Sequence, residues 1–302
     1  MRTRTQRLLN AVQRPDVYEE VLVESSGVPV ALSVWNGEPG VSPVVFLPGT
    51  MTHPLFYEEF LDVLARAGFN VVGVHFQGHG KSPRVRRLYS FDDLVQDALA
   101  AVSYASERFG SEVLVLGSSQ GGVVAAALAA RGPQVKAVFA HNVMDPSMPE
   151  SIRITRFPAR LQAYHKTILG GMNVAARALP RLAIPVGVYL DDRRVFGEEW
   201  TREQFYSDPL ALKAYPLHFL ASLFSADMRF LTTGEISCPV VIVASKGDKL
   251  FSFDYVRTIY ERIVAPEKEI LLFELDRHLI FNERVDEVLP SMIAKLGEYS
   301  TR

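Results

Sequence analysis

The stretch Val113-Leu-Val-Leu-Gly-Ser-Ser-Gln-Gly-Gly-Val-Val124 decides the fold, and it continues as Ala125-Ala-Ala-Leu-Ala-Ala-Arg131. Its apolar beginning predicts a buried strand, and its Ala-rich end predicts a closely packed helix. Between them, Gly117-Ser-Ser-Gln-Gly121 fits the pattern G-x-S-x-G, which is typical of a sharp strand-to-helix turn that exposes a serine hydroxyl. Because such a turn brings backbone against backbone, a Cβ at either outer position would collide, and only Ser119 has both glycines in register. The pattern therefore predicts Ser119 as a nucleophile, and a plain glycine-rich turn is the alternative.

Strands and helices alternate on both sides of this turn. Besides the strand just described, strands are predicted at residues 18–24, 28–35, 44–47, 70–75, 135–142, 240–245 and 270–275. Ser90, supported by Asp93, is predicted to cap a helix. A last helix is predicted from near Asn282 to Lys295, ending at Gly297. Because most of these strands are almost wholly apolar, the alternation predicts an α/β fold whose mostly parallel central sheet has helices on both faces.

The alternation breaks between about Asp145 and Gly234, where amphipathic stretches and prolines replace the strands. We interpret residues 145–234, called the insertion below, as a helical lid above the carboxyl ends of the strands, where open α/β sheets bind their ligands. Residues 1–144 and 235–302 then form the core domain. The apolar side chains of the insertion fit either an acyl-binding slot or simple packing against the core domain.

Composition limits the classes of function. The formal net charge of −2 gives no bulk attraction to nucleic acid or to anionic membranes. The only cysteine, Cys238, has no partner for an internal disulfide. The chain contains no apolar run long enough for a membrane span, and residues 1–14 are basic without the apolar core of a secretory signal. No phosphate-binding glycine loop and no zinc spacing of cysteine and histidine is present. We therefore expect a cytoplasmic protein that acts on a small molecule without a cofactor or metal, without nucleic acid and without integral membrane association.

Several separated motifs occur in an order that points to one family. They are Leu47-Pro-Gly-Thr50, Gln77-Gly-His-Gly-Lys-Ser82, the turn around Ser119, Ala244-Ser-Lys-Gly-Asp248 and Asp276-Arg-His278. On these motifs the sequence resembles the α/β-hydrolase fold family, in particular its lid-bearing members related to monoacylglycerol lipases, lysophospholipases and serine aminopeptidases. The resemblance covers nearly the whole chain outside the insertion and the first twenty or so residues.

A serine hydroxyl is a poor nucleophile unless an imidazole accepts its proton and a carboxylate holds that imidazole in the right tautomer. In this fold the three residues follow the order nucleophile, acid, histidine. His278 is the only loop histidine left after Ser119 and a later acid, so we predict it as the base. We predict Asp248, which follows a strand, as the acid. Asp145, just beyond the preceding strand, is the alternative.

The resemblance also implies an oxyanion hole, formed by the backbone N–H groups of Thr50 and Gln120. The sequence departs from the family at two places. Pro48 stands where the family usually has histidine, so the N–H of Met51 is an alternative to that of Thr50. His75 stands where the family often has aspartate, and we interpret it as structural, with a titratable group near the mouth of the site as the alternative.

The resemblance implies a serine hydrolase that cleaves a carboxylic ester, such as a monoacylglycerol or a lysophospholipid, through an acyl-enzyme. An aminopeptidase or a thioesterase of the same fold stays open, because the same triad cleaves amides and thioesters. A non-catalytic protein that binds a small ligand is the alternative from another class. Such a protein usually lacks a member of the triad, whereas this chain keeps a candidate for each position.

Overall fold

The computed structural model describes residues 10–84, 86–110 and 112–301. The strands in these ranges are β1 (Tyr18–Ser25), β2 (Val28–Trp35), β3 (Val44–Leu47), β4 (Val71–His75), β5 (Val113–Ser118), β6 (Val135–His141), β7 (Ala183–Pro185), β8 (Ala214–Pro216), β9 (Val240–Ser245) and β10 (Lys268–Phe273). The α-helices are α1 (Glu58–Arg66), α2 (Phe91–Phe109), α3 (Gln120–Arg131), α4 (His165–Ala178), α5 (Val186–Tyr189), α6 (Asp192–Val195), α7 (Glu199–Ser207), α8 (Leu217–Phe224), α9 (Phe230–Thr233), α10 (Phe253–Arg262), α11 (Ile280–Glu283) and α12 (Val285–Thr301).

Eight strands form one sheet in the order β1-β2-β4-β3-β5-β6-β9-β10. The first three in this order are antiparallel neighbours, and every following pair is parallel. The hairpin between β1 and β2 turns at Ser26 and Gly27, which both have positive φ, the geometry that matches the twist of two antiparallel strands. The predicted α/β fold with a mostly parallel sheet is therefore confirmed.

Helices cover both faces of this sheet. The helices α1 and α12 pack together on one face, and α2 and α3 pack together on the other. The strands β3 and β5 between them are buried along their whole length. The predicted cap at Ser90 is confirmed, because its side chain accepts a hydrogen bond from the N–H of Asp93 and the Asp93 carboxylate accepts one from the N–H of Ser90. Within the described ranges, no helix combines the length and the apolar character that crossing a bilayer would require.

The carboxyl-terminal helix was predicted too short. Although glycine disfavours a helix interior by about 1 kcal/mol relative to alanine, α12 passes through Gly297 and continues to Thr301. The last turns carry Leu296 and Tyr299, which are both buried. The Tyr299 hydroxyl also donates toward Glu267 at 2.9 Å. The predicted end at Gly297 is wrong because this packing outweighs the local preference of one glycine.

The insertion contains short elements rather than long helices. It begins with 3-10 helices at Pro149–Ile154 and Ala159–Tyr164 and continues through α4 to α9. The strands β7 and β8 form a small antiparallel sheet of their own, in which Ile184 faces Tyr215. Three residues per strand is too short for a readable alternation of apolar and polar residues, so the sequence did not predict this pair.

Candidate active site

Ser119 occupies the turn between β5 and α3. Its backbone has φ 52° and ψ −116°, in the left-handed region that non-glycine residues seldom adopt. A Cβ at Gly117 would overlap the carbonyl group of Gly121, and a Cβ at Gly121 would overlap the carbonyl group of Leu47. Both glycines of the G-x-S-x-G pattern are thus required by close backbone approach. The turn holds the serine side chain at the carboxyl end of the sheet.

The structure brings Ser119, His278 and Asp248 together. His278 lies in the loop after β10, and its Nε2 is 3.0 Å from the Oγ of Ser119. Asp248 lies in the loop after β9, and its Oδ2 is 2.9 Å from the Nδ1 of His278. All three side chains are buried. A hydroxyl, an imidazole and a carboxylate therefore form one hydrogen-bonded line across three loops.

The Asp248 carboxylate is surrounded by donors. Its Oδ1 accepts from the N–H groups of Leu250 at 2.7 Å and Phe251 at 3.0 Å, and its Oδ2 accepts also from the Asn142 amide at 3.3 Å. Burial alone would raise the pKa of this carboxyl, but the pairing with His278 and the N–H donors outweigh burial and hold the pKa below its ordinary value. The carboxylate stays charged at neutral pH. It therefore favours the His278 tautomer with a proton on Nδ1, which leaves Nε2 free to accept from Ser119.

Asp145, the alternative acid, points elsewhere. Its Oδ1 accepts from the hydroxyl of Ser147 at 2.6 Å and from the N–H of the same residue at 3.0 Å. Its Oδ2 accepts from Arg262 at 3.1 Å. The geometry therefore favours Asp248 as the partner of His278.

Two aromatic rings fix the position of the His278 ring. Phe251 stacks on it with 5.6 Å between ring centroids and 7° between planes. His141 contacts the same ring at 5.8 Å. Burial, together with the neighbouring His278, lowers the pKa of His141 to about 3, so His141 is neutral at physiological pH. The sequence pattern did not single out Phe251 as a contact of the histidine, because no local signal tells which loop side chain will lie against a distant one.

The side chains of Thr50 and Gln120, the residues predicted to supply the oxyanion donors, contact each other. The Thr50 hydroxyl donates to the Oε1 of Gln120 at 3.4 Å. Gln120 is the first residue of α3, so its N–H has no partner within the helix. Among the hydrogen bonds of residues 10–84, 86–110 and 112–301, neither the Thr50 N–H nor the Gln120 N–H has an acceptor. The N–H of Met51, the alternative donor, instead donates to the Tyr215 hydroxyl at 2.8 Å.

His75 lies under the site rather than in it. Its Nδ1 accepts from the N–H of Lys81 at 3.1 Å, so its Nε2 carries the proton and donates to the Oγ of Ser33 at 2.9 Å. Burial first, and the nearby His53 second, lower the pKa of this buried ring well below its ordinary value. His75 is therefore neutral and fully hydrogen-bonded, in agreement with a structural role.

A small pocket adjoins Ser119. Its volume is about 30 Å³, room for one or two water molecules, and the insertion contributes Val186, Leu190 and Phe196 to its walls. A wider cleft of about 540 Å³ lies outside and shares Asp192 and Phe196 with the inner pocket. The pocket beside Ser119 and a cleft large enough for a substrate are therefore neighbours. Over the described part of the chain, no group of three or more histidine, cysteine or acidic side chains is arranged to hold a metal ion.

Comparisons with known proteins bear on the family and the fold. The AB hydrolase superfamily protein YisY of Bacillus subtilis is 24% identical over 259 residues, which are 84% of this chain and 91% of that protein. Phospholipase YtpA of the same organism is 22% identical over 254 residues, 82% of this chain and 92% of that protein. The crystal structure of the Paleococcus ferrophilus monoacylglycerol lipase superposes with a TM-score of 0.71 at 23% identity, covering 90% of this chain and 99% of the other.

The sequence profile described as "Serine aminopeptidase, S33" matches residues 41–285. This range begins before β3 and ends at the start of α12, so it takes in every loop that carries a member of the site. The predicted resemblance to the α/β-hydrolase fold family is confirmed by this match and by the fold of the lipase. The chain accordingly belongs to the serine aminopeptidase S33 family of the α/β-hydrolase fold.

Proposed function

We propose that this protein is a serine hydrolase that cleaves a lipophilic carboxylic ester through an acyl-enzyme. The observation that supports this proposal most strongly is the continuous line from the Ser119 hydroxyl through His278 to Asp248, with distances of 3.0 Å and 2.9 Å. This arrangement is unfavourable for folding, because it buries a carboxylate and holds a serine with positive φ. Packing alone would favour neither feature.

The reaction follows from the geometry. His278 accepts the proton of Ser119 through Nε2 while the serine oxygen attacks the ester carbonyl carbon. The N–H groups of Thr50 and Gln120 stabilise the negative charge that develops on the carbonyl oxygen. His278 then donates its proton to the leaving alcohol and afterwards accepts a proton from the water that attacks the acyl-enzyme. It returns that proton to the Oγ of Ser119 as the bond to the serine breaks and the carboxylic acid leaves. Asp248 stabilises the imidazolium in both steps.

The lining of the site supports a lipophilic ester over a peptide. An aminopeptidase needs a carboxylate free to bind the ammonium group of its substrate. The acidic side chain that lines the inner pocket, Asp192, already accepts from Arg202 at 3.2 Å and from the Tyr206 hydroxyl at 3.3 Å. The other walls from the insertion are apolar, among them Leu190 and Phe196. A phospholipase and a monoacylglycerol lipase are among the similar proteins, which agrees with an acyl chain in this pocket.

We assign the insertion, residues 145–234, the role of a lid over a core domain of residues 1–144 and 235–302. Pockets that bind small molecules usually have volumes of about 300 to 1,000 Å³. The inner pocket has about 30 Å³, so an acyl chain enters only if side chains of the insertion move. Phe196 lines both the inner pocket and the outer cleft, so we infer that its side chain moves when a substrate enters.

Covalent labelling tests the proposal. A fluorophosphonate reacts with a serine only where a working base and oxyanion hole surround it, and intact mass counts the adducts. The wild-type protein should gain one adduct, and Ser119→Ala should gain none. Ser118→Ala is the matched control, because Ser118 is the adjacent serine and is buried in β5; it should still be labelled.

Substrates of different leaving groups separate the alternatives. We expect turnover of p-nitrophenyl esters and none of amino-acid p-nitroanilides. Turnover of the anilides alone would favour an aminopeptidase. A folded wild-type protein that neither takes the label nor turns over any ester would contradict the proposal and favour a binding protein.

A further inference from the structure

Tyr215 reaches from the insertion into the core domain. It lies on β8, and its side chain is completely buried. Its hydroxyl is 2.8 Å from the backbone nitrogen of Met51, 2.8 Å from the Nε2 of His79 and 3.4 Å from the Oε1 of Gln120. One hydroxyl therefore contacts the loop after β3, the loop after β4 and the residue that follows Ser119.

The direction of these hydrogen bonds is fixed by His79. The Nδ1 of His79 lies 3.0 Å from the carbonyl oxygen of Gln77, which can only accept, so the proton is on Nδ1. Burial lowers the pKa of His79 to about 4, so Nε2 carries no proton at neutral pH. Tyr215 therefore donates its single proton to His79. Its lone pairs are left to accept the N–H of Met51.

Met51 is the residue that needs this support. Its φ is 61°, in the left-handed region, which is unfavourable for a non-glycine residue and persists only where the surrounding structure holds it. The insertion bonds Met51 on both sides, because its N–H donates to Tyr215 and its carbonyl oxygen accepts from the Leu212 N–H at 2.9 Å. On the other side of Thr50, the N–H of Gly49 donates to the Tyr57 hydroxyl at 3.2 Å. The peptide group that carries the Thr50 N–H lies between these two bonded peptide groups, and its own carbonyl oxygen, that of Gly49, accepts from the Thr52 N–H at 3.1 Å.

We propose that Tyr215 is a positioning residue for the oxyanion hole: by anchoring the Met51 peptide it fixes the direction of the free Thr50 N–H. The inference rests on the proposed function, because a fixed Thr50 N–H matters only if an oxyanion forms beside it. The proposed lid then does more than cover the substrate. It also holds the Thr50 N–H in position. Any motion that separates Tyr215 from Met51 therefore loosens a hydrogen-bond donor to the transition state.

The test is Tyr215→Phe, which removes only the hydroxyl. Deleting an oxyanion donor lowers kcat by about 10² to 10³. Tyr215→Phe loosens such a donor without deleting it, so we expect kcat for p-nitrophenyl butyrate to fall about 10- to 100-fold. KM should stay within about twofold, because the ground-state carbonyl depends little on the donor. The pH dependence of kcat/KM should not change, since the triad is intact. The rate of fluorophosphonate labelling should fall in parallel with kcat.

The matched control is Tyr189→Phe. Tyr189 is also a buried tyrosine of the insertion, but its hydroxyl has no hydrogen-bond partner among the described residues. This variant should keep the wild-type kcat and an unchanged or slightly higher melting temperature. Tyr215→Phe should melt a few degrees lower, because the Met51 N–H and the Nε2 of His79 lose their partner.

The possible results distinguish failure of the proposed function from failure of the proposed role of Tyr215 alone. An unlabelled, inactive wild-type protein refutes the proposed function and this inference with it. An active wild-type protein with equal kcat in Tyr215→Phe and Tyr189→Phe refutes the inference alone. A Tyr215→Phe variant that loses activity through a rise in KM, a shifted pH profile or a much lower melting temperature than Tyr189→Phe also refutes it, since those changes indicate a merely structural role.

Discussion

Replacing Asp248 by asparagine should abolish most of the activity while leaving the fold intact. The asparagine oxygen can keep the hydrogen bonds from the N–H groups of Leu250 and Phe251, at 2.7 Å and 3.0 Å. Its NH₂ group then faces the Nδ1 of His278, at the position where the carboxylate oxygen lies 2.9 Å away. Because an NH₂ group only donates, Nδ1 must become the acceptor, and the His278 proton moves to Nε2. The base then has no lone pair for Ser119.

The size of the effect follows from this tautomer change. A triad with the wrong tautomer loses about 10⁴ in kcat, which corresponds to about 5.4 kcal/mol of transition-state stabilisation at 1.36 kcal/mol per factor of ten. KM should change little, because the pocket walls are untouched. The assay is the steady-state hydrolysis of p-nitrophenyl butyrate by wild type and Asp248→Asn, with thermal melting to show that both are folded.

Asp145→Asn is the matched control. The Asp145 carboxylate bonds to Ser147 and Arg262, and His278 is not among its partners. We expect kcat within about twofold of wild type. The reasoning would be refuted by Asp248→Asn retaining more than a tenth of the wild-type kcat, or by Asp145→Asn losing a hundredfold or more while remaining folded.

Three further predictions concern the lid, the turn and the effect of pH. Phe196→Ala should open the passage from the outer cleft and raise kcat/KM for p-nitrophenyl octanoate several-fold, by about tenfold or less, with a smaller gain for the acetate; equal gains for both esters would argue against a gate. Gly121→Ala should destabilise the protein in urea by at least about 2 kcal/mol, because its Cβ overlaps the Leu47 carbonyl, whereas Gly170→Ala, with open space around its Cβ, should be neutral or stabilising. Burial lowers the pKa of His79 to about 4 and that of His141 to about 3. Below pH 6.5 the unfolded chain therefore binds protons that the folded chain does not. The free energy of unfolding should fall by about 2 kcal/mol per histidine between pH 7 and pH 5. Asp97 offsets about 1 kcal/mol of this fall, because burial raises its pKa to about 6 and the folded carboxyl takes up a proton first. Urea unfolding at both pH values checks the sign, and a higher stability at pH 5 would count against it.

The elements that the sequence predicted well are those whose cause is local. A short apolar run between turn residues is stable as a buried strand. The predicted bounds of β3, β5, β6 and β9 therefore agree nearly residue for residue with the structure. The glycines of the turn around Ser119 are required by contacts within the turn and with the adjacent strand end, and their spacing is visible in the sequence. The G-x-S-x-G pattern indicated Ser119, the order of the three residues along the chain indicated His278, and Asp248 was preferred to Asp145; the structure brings Ser119, Asp248 and His278 within hydrogen-bond distance.

What the sequence did not indicate depends on contacts between distant residues. The hydroxyl of Tyr215 meets Met51 across 164 positions of the chain, and a tyrosine in a three-residue strand has no pattern that reveals its partner. Asn142 reaches the Asp248 carboxylate across 106 positions. The helix that continues past Gly297 does so because Tyr299 is buried against the rest of the protein. In each case packing between distant parts of the chain determines the structure, and the local sequence does not indicate that packing.

Because β6 and β9 are neighbours in the sheet, the length of the segment between them can vary. The long excursion between His141 and Val240 leaves the sheet and returns to it at adjacent strands, where Phe139 pairs with Val241. The entropy lost on closing a loop grows only with the logarithm of its length, by about 0.6 kcal/mol for each doubling. Lengthening or trimming this excursion therefore changes the entropy of closing it very little. What a replacement of the excursion has to keep is its buried contact with the core domain, such as the hydrogen bond between Tyr215 and Met51, because that contact holds the loop after β3.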